Sequence, residues 1–345
     1  METIERGRNW AAVQLAMLNA RRRRQAVSQG DAGGRRALWS ALRALSLERP
    51  PQFDVPLAEH TTFRIGGSAW ALAEPTTVEE LSIVLGMSQE VGAETMIVGA
   101  GSNLLVRDGG FPGLVLKLAG DFQVIADLGP AHAGPGAGTM LVGAAVHLSR
   151  LVHRATARGY RSLLRLCGIP GSVGGAVVMN AGTDEAIGDL VRAVQIVDAS
   201  GSTVIGQELC GFAYRTSALG RTGVVANVFL DAGPERASPE LLKQIAAERR
   251  ALRRATQPLE FPSAGSVFRN PPGDHAGRLI DACGLKGAER GGARISEVHA
   301  NWIVNATGEA SSDDVEGLID LCRNEVARRF GVELELEIRI VGERP

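Results

Sequence analysis

The sequence predicts a ligand-binding protein of the α/β or α+β class. Its 345 residues include 43 glycines, which favour tight turns and backbone close to a ligand over a helical bundle. Between residues 114 and 232 the apolar runs are short and interrupted by glycine, a texture typical of strands. Apolar residues at helical spacing occur on both sides of this region. A chain of this length and composition buries a substantial core and is expected to divide into two or three lobes.

The first fifty residues differ in charge from the rest of the chain. They hold ten arginines and four acidic residues, whereas the whole chain has a formal net charge of -1. The run of arginines at 21–24 is typical of a solvated helix face or a loose tail, and a nucleic-acid or partner-docking arm is the alternative. Because Pro50, Pro51 and Pro56 disfavour helix, we expect residues 1–50 to be an Arg-rich extension, disordered or helical, with the folded body beginning after it.

The sequence carries no mark of export or membrane insertion. It has no secretory h-region, and no apolar run reaches the roughly 18 residues that span a bilayer. Glu2 and Glu5 argue against a mitochondrial presequence. The near-neutral net charge gives no general argument for nucleic-acid binding. We therefore expect a cytoplasmic protein without nucleic-acid or membrane partners.

The cysteines and histidines predict no metal site. The four cysteines are too far apart for a CxxC pair or a zinc-ligand spacing, so we expect reduced, mostly buried thiols. They are Cys167, Cys210, Cys283 and Cys322. The six histidines form no HExxH motif and no two-plus-two arrangement with cysteine.

Helix and strand signals alternate in the first two thirds of the chain. Thr77 and Glu80 have capping-box spacing and begin a helix that is expected to run to about Gly92. A short strand at 96–98 follows. Further strands are expected at the apolar runs 114–118, 194–197 and 224–230.

The last third of the chain contains two helices and a strand. Ser238 and Pro239 are typical of an N-cap and first turn, and the helix continues toward Arg254, near which a third lobe begins. Helical spacing predicts a second helix over 315–326 that stops at Gly331. From 332 to 340 apolar and charged residues alternate without a fault, which predicts one strand with a polar face. The charged residues are Glu333, Glu335, Glu337 and Arg339.

Two glycine-rich segments are candidates for binding a dinucleotide. The segment 99–104 begins like GxGxxG, but Leu104 replaces the third glycine, so the Rossmann interpretation fails and a phosphate-binding turn or a plain turn remains. There is no GxxxxGK[ST], which excludes a P-loop. The second segment, 168–176 with 180–182, lets backbone amides approach a flat or anionic ligand, with a hairpin or bulge as the alternative. Two such segments in one chain favour a dinucleotide.

Two further segments contain candidate catalytic side chains. Arg215, which follows Tyr214, could pair with a substrate carboxylate in bidentate fashion or form a surface ion pair. Ser266 lies in the segment 263–271 and has no GxSxG elbow around it, so a hydrolase nucleophile is not expected. A plain loop serine and a proton donor are the alternatives.

Taken in order, these segments resemble the bacterial UDP-N-acetylenolpyruvoylglucosamine reductases. The similarity runs from HTTFRIGG at 60–67 to IRIVGE at 338–343. It includes GAGSNLLV, GIPGSVGGAVVMNAG, YRTS, GSVFRNPPG, AGRLID and SEVHANWIVN. The combination is specific, although no single motif is. The short connection at 215–265 is similar to that of the second, shorter subtype of the family.

The resemblance implies both a fold and a reaction. The fold is α+β, with a two-lobed FAD-binding domain of the vanillyl-alcohol-oxidase/PCMH-like type at 51–232 and a C-terminal α+β substrate domain at 233–345. The two lobes are expected at about 51–118 and 119–232. The reaction is the reduction of UDP-N-acetylglucosamine enolpyruvate to UDP-N-acetylmuramate for peptidoglycan synthesis, with NADPH as hydride donor and FAD bound non-covalently. We expect a monomer.

The same resemblance assigns roles to five side chains. Arg215 matches the catalytic arginine, which stabilises the negative charge that develops on the substrate carboxylate. Ser266 matches the proton donor, for which geometry matters more than an acidic pKa. Glu337 matches the catalytic carboxylate, a choice that periodicity alone could not make among the glutamates of its strand. Asn270 and Tyr214 are expected beside the substrate.

The two glycine-rich segments match the FAD contacts of that family. The matching residues are Gly99, Ala100, Gly101, Ser102, Asn103, Leu104, Gly168, Ile169, Pro170, Gly171, Ser172, Gly174, Gly175, Asn180, Ala181 and Gly182. Two departures accompany the match. Val298 stands where the family commonly has a lysine, and Thr183-Asp184-Glu185 replaces the usual AYGGE, which alters contacts next to the flavin.

Two other functions fit parts of the pattern. One is a flavin oxidase of the same broad superfamily that acts on an alcohol or a sugar, and such oxidases often tether FAD through a histidine or cysteine. The other is a non-catalytic flavin- or nucleotide-binding module with the Arg-rich leader as its docking arm. Arg215, Ser266 and Glu337 together argue against this module, because binding alone needs none of them.

Overall fold

The computed structural model describes residues 30–128, 138–182, 185–221, 223–233 and 235–345. The arginine run at 21–24, and Thr183 and Asp184, lie outside the described residues. The helices are α1 (Gly30–Arg43), α2 (Val78–Val91), α3 (Leu148–Ala157), α4 (Val173–Val178), α5 (Pro239–Thr256), α6 (Ala276–Ala282) and α7 (Ser312–Phe330). Short 3-10 helices lie at Leu57–His60, Gly120–Gln123, Ser162–Leu166, Ile187–Leu190, Gln207–Leu209 and Leu219–Arg221.

The strands fall into three lobes and one connection between lobes. The first lobe contains β1 (Gln52–Pro56), β2 (Ser68–Ala73), β3 (Glu94–Ile97), β4 (Leu104–Val106) and β5 (Phe111–Leu116). The second contains β6 (Ile125–Asp127), β7 (Thr139–Gly143), β8 (Val191–Asp198), β9 (Gly201–Gly206) and β10 (Val224–Asp231). The third contains β11 (Glu289–Arg290), β12 (Ala293–Ile295) and β13 (Ile303–Asn305), and the chain ends with β14 (Arg339–Val341).

The first lobe is a mixed four-stranded sheet in the order β1-β2-β5-β3. The outer pair β1 and β2 is antiparallel, whereas β5 runs parallel to β2 and β3. Helix α2 supplies the crossover between β2 and β3, and its limits agree with the sequence prediction: Thr77 accepts a hydrogen bond from the Glu80 amide, and Gly92 ends the helix at φ 68°.

Helix α1 belongs to the folded body, so the expectation that this body begins after Pro50 was wrong. Leu38 and Leu42 are fully buried in the core that the first two lobes share, and Trp39 Nε1 donates a hydrogen bond to the Trp70 carbonyl at 2.7 Å. Both leucines lie on one face of α1. The high arginine content of the leader concealed this apolar stripe.

The second lobe is an antiparallel five-stranded sheet in the order β6-β7-β10-β8-β9. The expected strands at 194–197 and 224–230 are confirmed within β8 and β10. Helix α5 packs on this lobe, since Ala246 is buried in the shared core and Arg249 Nη1 donates to the Leu164 carbonyl at 2.9 Å. The packing therefore places α5 with the second lobe, whereas the sequence reading assigned residues from 233 onward to the third.

The third lobe packs α6 and α7 against the antiparallel sheet β11-β12-β13. Helix α7 ends at Gly331, at φ 67°, as predicted, but it begins at Ser312, before the predicted 315, because Ser311 caps its first turn. Phe63 and Leu105 of the first lobe are buried in the same apolar cluster. This shared cluster fixes the third lobe against the first lobe.

The predicted strand at 332–340 is wrong in its extent. Only β14 is a strand, and it pairs in parallel with β4 of the first lobe. Before it, Leu336 bridges Phe268 in antiparallel fashion, and the amides of Glu337 and Ile338 both donate to the Val267 carbonyl. The backbone bends where it changes partner, which breaks the period of two that a continuous strand requires. Glu333 and Glu335 stay exposed, but Glu337 turns inward.

Polar contacts at the start of α7 also join the third lobe to the first. Arg107 donates to both carboxylate oxygens of Glu316, at 2.7 and 3.1 Å. Asp108 Oδ2 accepts from the backbone and the hydroxyl of Ser312, each at 2.8 Å. Both partners lie in the first two turns of α7. The helix is thereby anchored at its N-terminal end on the loop after β4.

The cysteines are free thiols, as expected, and three of the four are buried. Burial raises the pKa of Cys322 to about 12, so this thiol stays protonated. In the ranges that the structure describes, no helix is both long and apolar enough to cross a membrane.

Candidate active site

Arg215 lies at the tip of a tight turn. The backbones of Ala213 and Thr216 exchange hydrogen bonds of 3.0 and 3.2 Å, which leaves Tyr214 and Arg215 as the two central residues. Arg215 has φ 55°, in the left-handed region that residues with a Cβ seldom adopt. Such backbone conformations persist where surrounding contacts hold them, and they cluster at functional sites.

The turn is tied to the second glycine-rich segment by three side chains. Asn180 Nδ2 donates to the Ala213 carbonyl at 2.9 Å, while its Oδ1 accepts from the Gly188 amide at 2.9 Å. Ser217 Oγ donates to the Val178 carbonyl at 2.8 Å. Arg215 itself donates through Nη1 to the Gly182 carbonyl. The guanidinium is therefore fixed relative to the end of α4.

Glu337 meets Arg215 across the boundary between the second and third lobes. Arg215 Nε lies 3.1 Å from Glu337 Oε1, an ionic contact without the alignment of a hydrogen bond. The two side chains are only 23% and 18% exposed. Burial raises the pKa of Glu337 above its ordinary value, and the nearby cations Arg215 and Arg269 offset only part of that effect. A carboxyl in this setting keeps a proton more readily than an exposed one.

The backbone of Glu337 connects two of the segments that the sequence singled out. Its amide donates to the Val267 carbonyl at 2.8 Å, next to Ser266. Its carbonyl accepts from Asn103 Nδ2 at 3.0 Å, and the Asn103 carbonyl accepts from the Arg339 amide at 3.0 Å. The Asn103 side chain thus donates to the backbone that carries Glu337. This contact places the first glycine-rich segment next to the Glu337 residue.

Ser266 is half-buried and lies one residue from the Val267–Glu337 hydrogen bond. It follows Gly265, whose φ of 79° turns the chain at this point. Within the described residues its hydroxyl has no hydrogen-bond partner, so it is available to a ligand. The structure brings Arg215 and Glu337 into direct contact and brings Ser266 to them through the backbone.

The two residues expected beside the substrate lie at the rim. Tyr214 is 56% exposed, and its ring centroid lies 5.6 Å from the guanidinium carbon of Arg215. Asn270 is exposed, and its Oδ1 accepts from the Ala276 amide at 3.1 Å at the start of α6. Asn270 therefore caps a helix, a task that the sequence reading did not foresee.

The segment 99–104 forms a cradle of backbone amides. Within the described residues, the amides of 99–103 donate no hydrogen bond to protein, whereas the carbonyl of Gly101 accepts from Thr62 at 3.2 Å. A Cβ at Gly99 would lie 2.2 Å from Ser172 Oγ, and one at Gly101 would lie 2.2 Å from the His60 carbonyl oxygen. At Gly101 the neighbour is backbone, so only glycine fits there, whereas at Gly99 the Ser172 hydroxyl would have to move. Free backbone amides of this kind suit a phosphate.

The segment 168–175 offers fewer free amides than the sequence suggested. Val173 and Gly174 donate to the carbonyls of Val146 and Ala144, at 2.8 and 2.9 Å. Ser172 caps α4 through its hydroxyl. Gly174 serves close packing, since a Cβ there would lie 2.8 Å from Ala144 Cβ. Gly171, at φ 119°, faces Ser102 and places this segment directly against the first cradle.

Arg253 is a candidate site residue that sequence reasoning missed. It lies on α5, and its side chain contacts Gly168, where a Cβ would lie 2.6 Å from Arg253 Cδ. Its guanidinium donates twice to Gln257 Oε1, at 3.1 and 2.8 Å, and among the described residues it has no carboxylate partner. Burial lowers the pKa of Arg253. The four arginines at 249–254 look alike in sequence, and only the packing of α5 distinguishes this one.

Of the two departures from the family pattern, the structure describes Val298 and Glu185. Val298 is 50% exposed, so a cation at that position would be solvated. Glu185 pairs with Arg165 at 3.2 Å.

Comparison with known proteins identifies the class of protein to which the chain belongs. Residues 69–206 match the family model of the FAD binding domain, a span that contains both glycine-rich segments. The free amides at 99–103 and the arginine at Gly168 suit a dinucleotide. Together with the reductase relatives given below, this match makes the chain an FAD-binding oxidoreductase. Residues 257–341 match the model of the UDP-N-acetylenolpyruvoylglucosamine reductase C-terminal domain. The chain belongs to the UDP-N-acetylenolpyruvoylglucosamine reductase family.

Relatives support this assignment over most of the chain. The UDP-N-acetylenolpyruvoylglucosamine reductase of Moorella thermoacetica is 46% identical over 84% of this chain and 92% of its own length. Reductase 2 of Symbiobacterium thermophilum is 45% identical over the same shares. The crystal structure of the Thermus caldophilus reductase is 38% identical, with a TM-score of 0.70, and covers 84% of this chain and 97% of that one. The family and the α+β fold expected from the sequence are confirmed.

Proposed function

We propose that this chain reduces UDP-N-acetylglucosamine enolpyruvate to UDP-N-acetylmuramate with NADPH, using Arg215, Ser266 and Glu337 at the reacting group. The observation that carries this proposal is the Arg215–Glu337 contact at 3.1 Å, held by Val267 next to Ser266. When bound, FAD accepts a hydride from NADPH and supplies it to the terminal carbon of the enolpyruvyl group.

Arg215 acts on the substrate carboxylate. Hydride addition to the enolpyruvyl double bond develops negative charge on the neighbouring carbon and its carboxylate. A planar guanidinium offers two parallel donors to such a group and favours the charge as it develops. The turn at 213–216 holds Arg215 in place before the reaction, so little reorganisation is needed.

Ser266 delivers the proton that completes the reduction. The hydride bonds to the terminal carbon, and the Ser266 hydroxyl proton bonds to the carbon that carries the carboxylate. The serine oxygen then takes a proton back from solvent. Its hydroxyl has no partner among the described residues, which leaves it free to approach the substrate. Glu337, whose pKa burial raises, orients the reacting group and stabilises the charged intermediate through a hydrogen bond.

The first two lobes hold the cofactor. The amides of 99–103 would bind the pyrophosphate, and Arg253 would supply a positive charge at the neighbouring segment 168–171. Asn180 and Gly182 fix the Arg215 turn and so connect the cofactor side to the substrate side. The lobe at 257–341 would hold the sugar nucleotide.

The protein is proposed to act as a monomer in the cytoplasm. Light scattering of the purified protein should then give a mass near the 36.3 kDa of one chain. A value of twice that mass would refute the monomer and leave the proposed reaction untouched.

The reaction is tested by adding the enolpyruvyl substrate to purified protein and NADPH. We expect a yellow protein whose flavin is released by acid precipitation and which oxidises NADPH in a substrate-dependent way. Ser266→Ala should keep flavin reduction by NADPH and lose reoxidation by the enolpyruvyl substrate. Ser238→Ala, which removes only the N-cap of α5, is the control and should keep both steps. Equal loss of both steps in Ser266→Ala would refute its role.

A further inference from the structure

Asn301 is a buried asparagine that makes hydrogen bonds to the backbone of the segment after Ser266. It is 4% exposed and lies in the loop before β13. Its Oδ1 accepts from the Phe268 amide at 2.9 Å, and its Nδ2 donates to the Phe268 carbonyl at 2.8 Å. Its own carbonyl accepts from the Val267 amide at 2.9 Å. One residue thus satisfies three backbone groups of the segment that follows Ser266.

The same segment carries Glu337. The Val267 carbonyl accepts from the Glu337 amide at 2.8 Å, and Phe268 bridges Leu336. The segment 266–268 therefore has Asn301 on one side and the segment 336–338 on the other. A shift of this segment would move the Ser266 hydroxyl and the Glu337 carboxylate together.

The loop that presents Asn301 is itself held in place. His299 Nδ1 accepts from the Asn301 amide at 3.2 Å, which requires the neutral ring with no proton on Nδ1. Burial lowers the pKa of His299, which favours that form. The Trp302 amide donates to the His299 carbonyl at 3.0 Å and closes the turn.

We propose that Asn301 is a positioning residue that sets the register of Ser266 and Glu337 for protonation of the substrate. This inference rests on the roles proposed above for those two residues. The uncharged amide of asparagine presents an acceptor and a donor side by side, as the backbone N–H and carbonyl of Phe268 require. Aspartate keeps the acceptor and places a second acceptor against the Phe268 carbonyl. Leucine removes both groups at similar volume.

The test compares Asn301→Leu with Asn305→Leu. Asn305 is a matched control, because it is 1% exposed, lies in the same lobe and also makes two side-chain hydrogen bonds, to the Phe63 carbonyl and from the Ala310 amide. Stopped-flow absorbance of the bound flavin follows each half-reaction. In Asn301→Leu we expect reoxidation by the enolpyruvyl substrate to slow at least 30-fold and reduction by NADPH to stay within threefold. Asn305→Leu should keep both rates within threefold.

Hydrogen exchange gives a readout that needs no substrate. The amides of Phe268 and Glu337 should exchange at least tenfold faster in Asn301→Leu than in Asn305→Leu. If Asn301→Leu does not fold, Asn301→Asp takes its place. It should also slow flavin reoxidation more than flavin reduction, but by a smaller factor. Parallel slowing of both half-reactions, equal effects in the Asn305 control, or unchanged exchange would overturn the proposal. Absence of enolpyruvyl reduction by the unmodified protein would overturn the proposed function. The exchange rates would then still test whether Asn301 holds the backbone of Phe268 and Glu337 in place.

Discussion

Arg215 Nε and Glu337 Oε1 lie 3.1 Å apart, although one residue is central in a turn of the second lobe and the other lies in the last segment of the chain. Neither residue could hold this position alone. Arg215 depends on Asn180 and Gly182, whereas Glu337 depends on Val267 and Asn103. The site therefore forms only when the third lobe closes on the first two.

Replacement of Arg215 by lysine should separate charge from geometry. Lysine keeps the positive charge but loses the planar pair of donors that recognises a carboxylate. We expect the kcat for the enolpyruvyl substrate to fall about 100-fold or more, the effect of removing one preorganised donor. Flavin reduction by NADPH should change little. Arg221→Lys, at an exposed position, is the control, and a loss of the same size there would contradict the assignment.

Glu337 should make stability decrease as pH rises. Because burial raises its folded-state pKa above the ordinary 4.5, the folded protein retains a proton that the unfolded chain releases. The free energy of unfolding should therefore fall as pH rises from about 4.5 through the raised pKa, and level off above it. Urea unfolding at stepped pH should show that Glu337→Gln lacks this decline. A decline of equal size in wild type and variant would refute the shift.

The Gly99 approach to Ser172 should control FAD occupancy. In Gly99→Ala the new Cβ would lie 2.2 Å from Ser172 Oγ and 3.2 Å from Ser172 Cβ, so the serine hydroxyl must leave its capping position on α4 or the two segments must move apart. We expect the purified variant to contain less than half the wild-type flavin per chain, measured by absorbance after acid release. Adding Ser172→Gly should restore the flavin, because glycine removes the clash and still caps a helix. Gly33→Ala, in open space on α1, should keep full occupancy, and failure of the rescue would contradict the cause.

The Arg107–Glu316 pair should contribute to stability at neutral pH and less in acid. The hydrogen bonds that Glu316 accepts from Arg107 lower its pKa most. Burial opposes this effect, and the hydrogen bond from Arg344 lowers the pKa further. That stabilisation is present above the ordinary carboxyl pKa and is lost as pH falls through the folded-state pKa. Glu316→Gln should cost about 2 kcal/mol in urea unfolding at neutral pH, and less at low pH. A loss that does not depend on pH would point to packing instead.

Helix α1 should be required for the stability of the FAD-binding lobes. Leu38 and Leu42 are fully buried, so truncation of either to alanine should lower the free energy of unfolding by about 2–5 kcal/mol. Ser40→Ala, on the exposed side of the same helix, should change it by less than about 0.5 kcal/mol. Equal, small effects at all three positions would show that α1 is dispensable.

The sequence by itself determined the local elements and the family. The caps at Thr77, Ser238 and Gly331 and the short apolar runs gave helix and strand positions that the structure confirms, because these signals act within a few residues. The ordered motifs gave the reductase family through resemblance. The arginine-rich leader misled, since its charge concealed the buried stripe of α1.

Only the tertiary structure decided which groups meet. Periodicity placed Glu337 on a strand face with Glu333 and Glu335, but the backbone bend at the Val267 carbonyl turned Glu337 alone toward Arg215. Likewise, only the packing of α5 distinguished Arg253 from its neighbours, and only the loop before β13 brought Asn301 to Phe268. Local sequence fixes backbone preferences over a few residues, whereas contacts between distant segments depend on how whole lobes pack and on which buried polar groups must find partners.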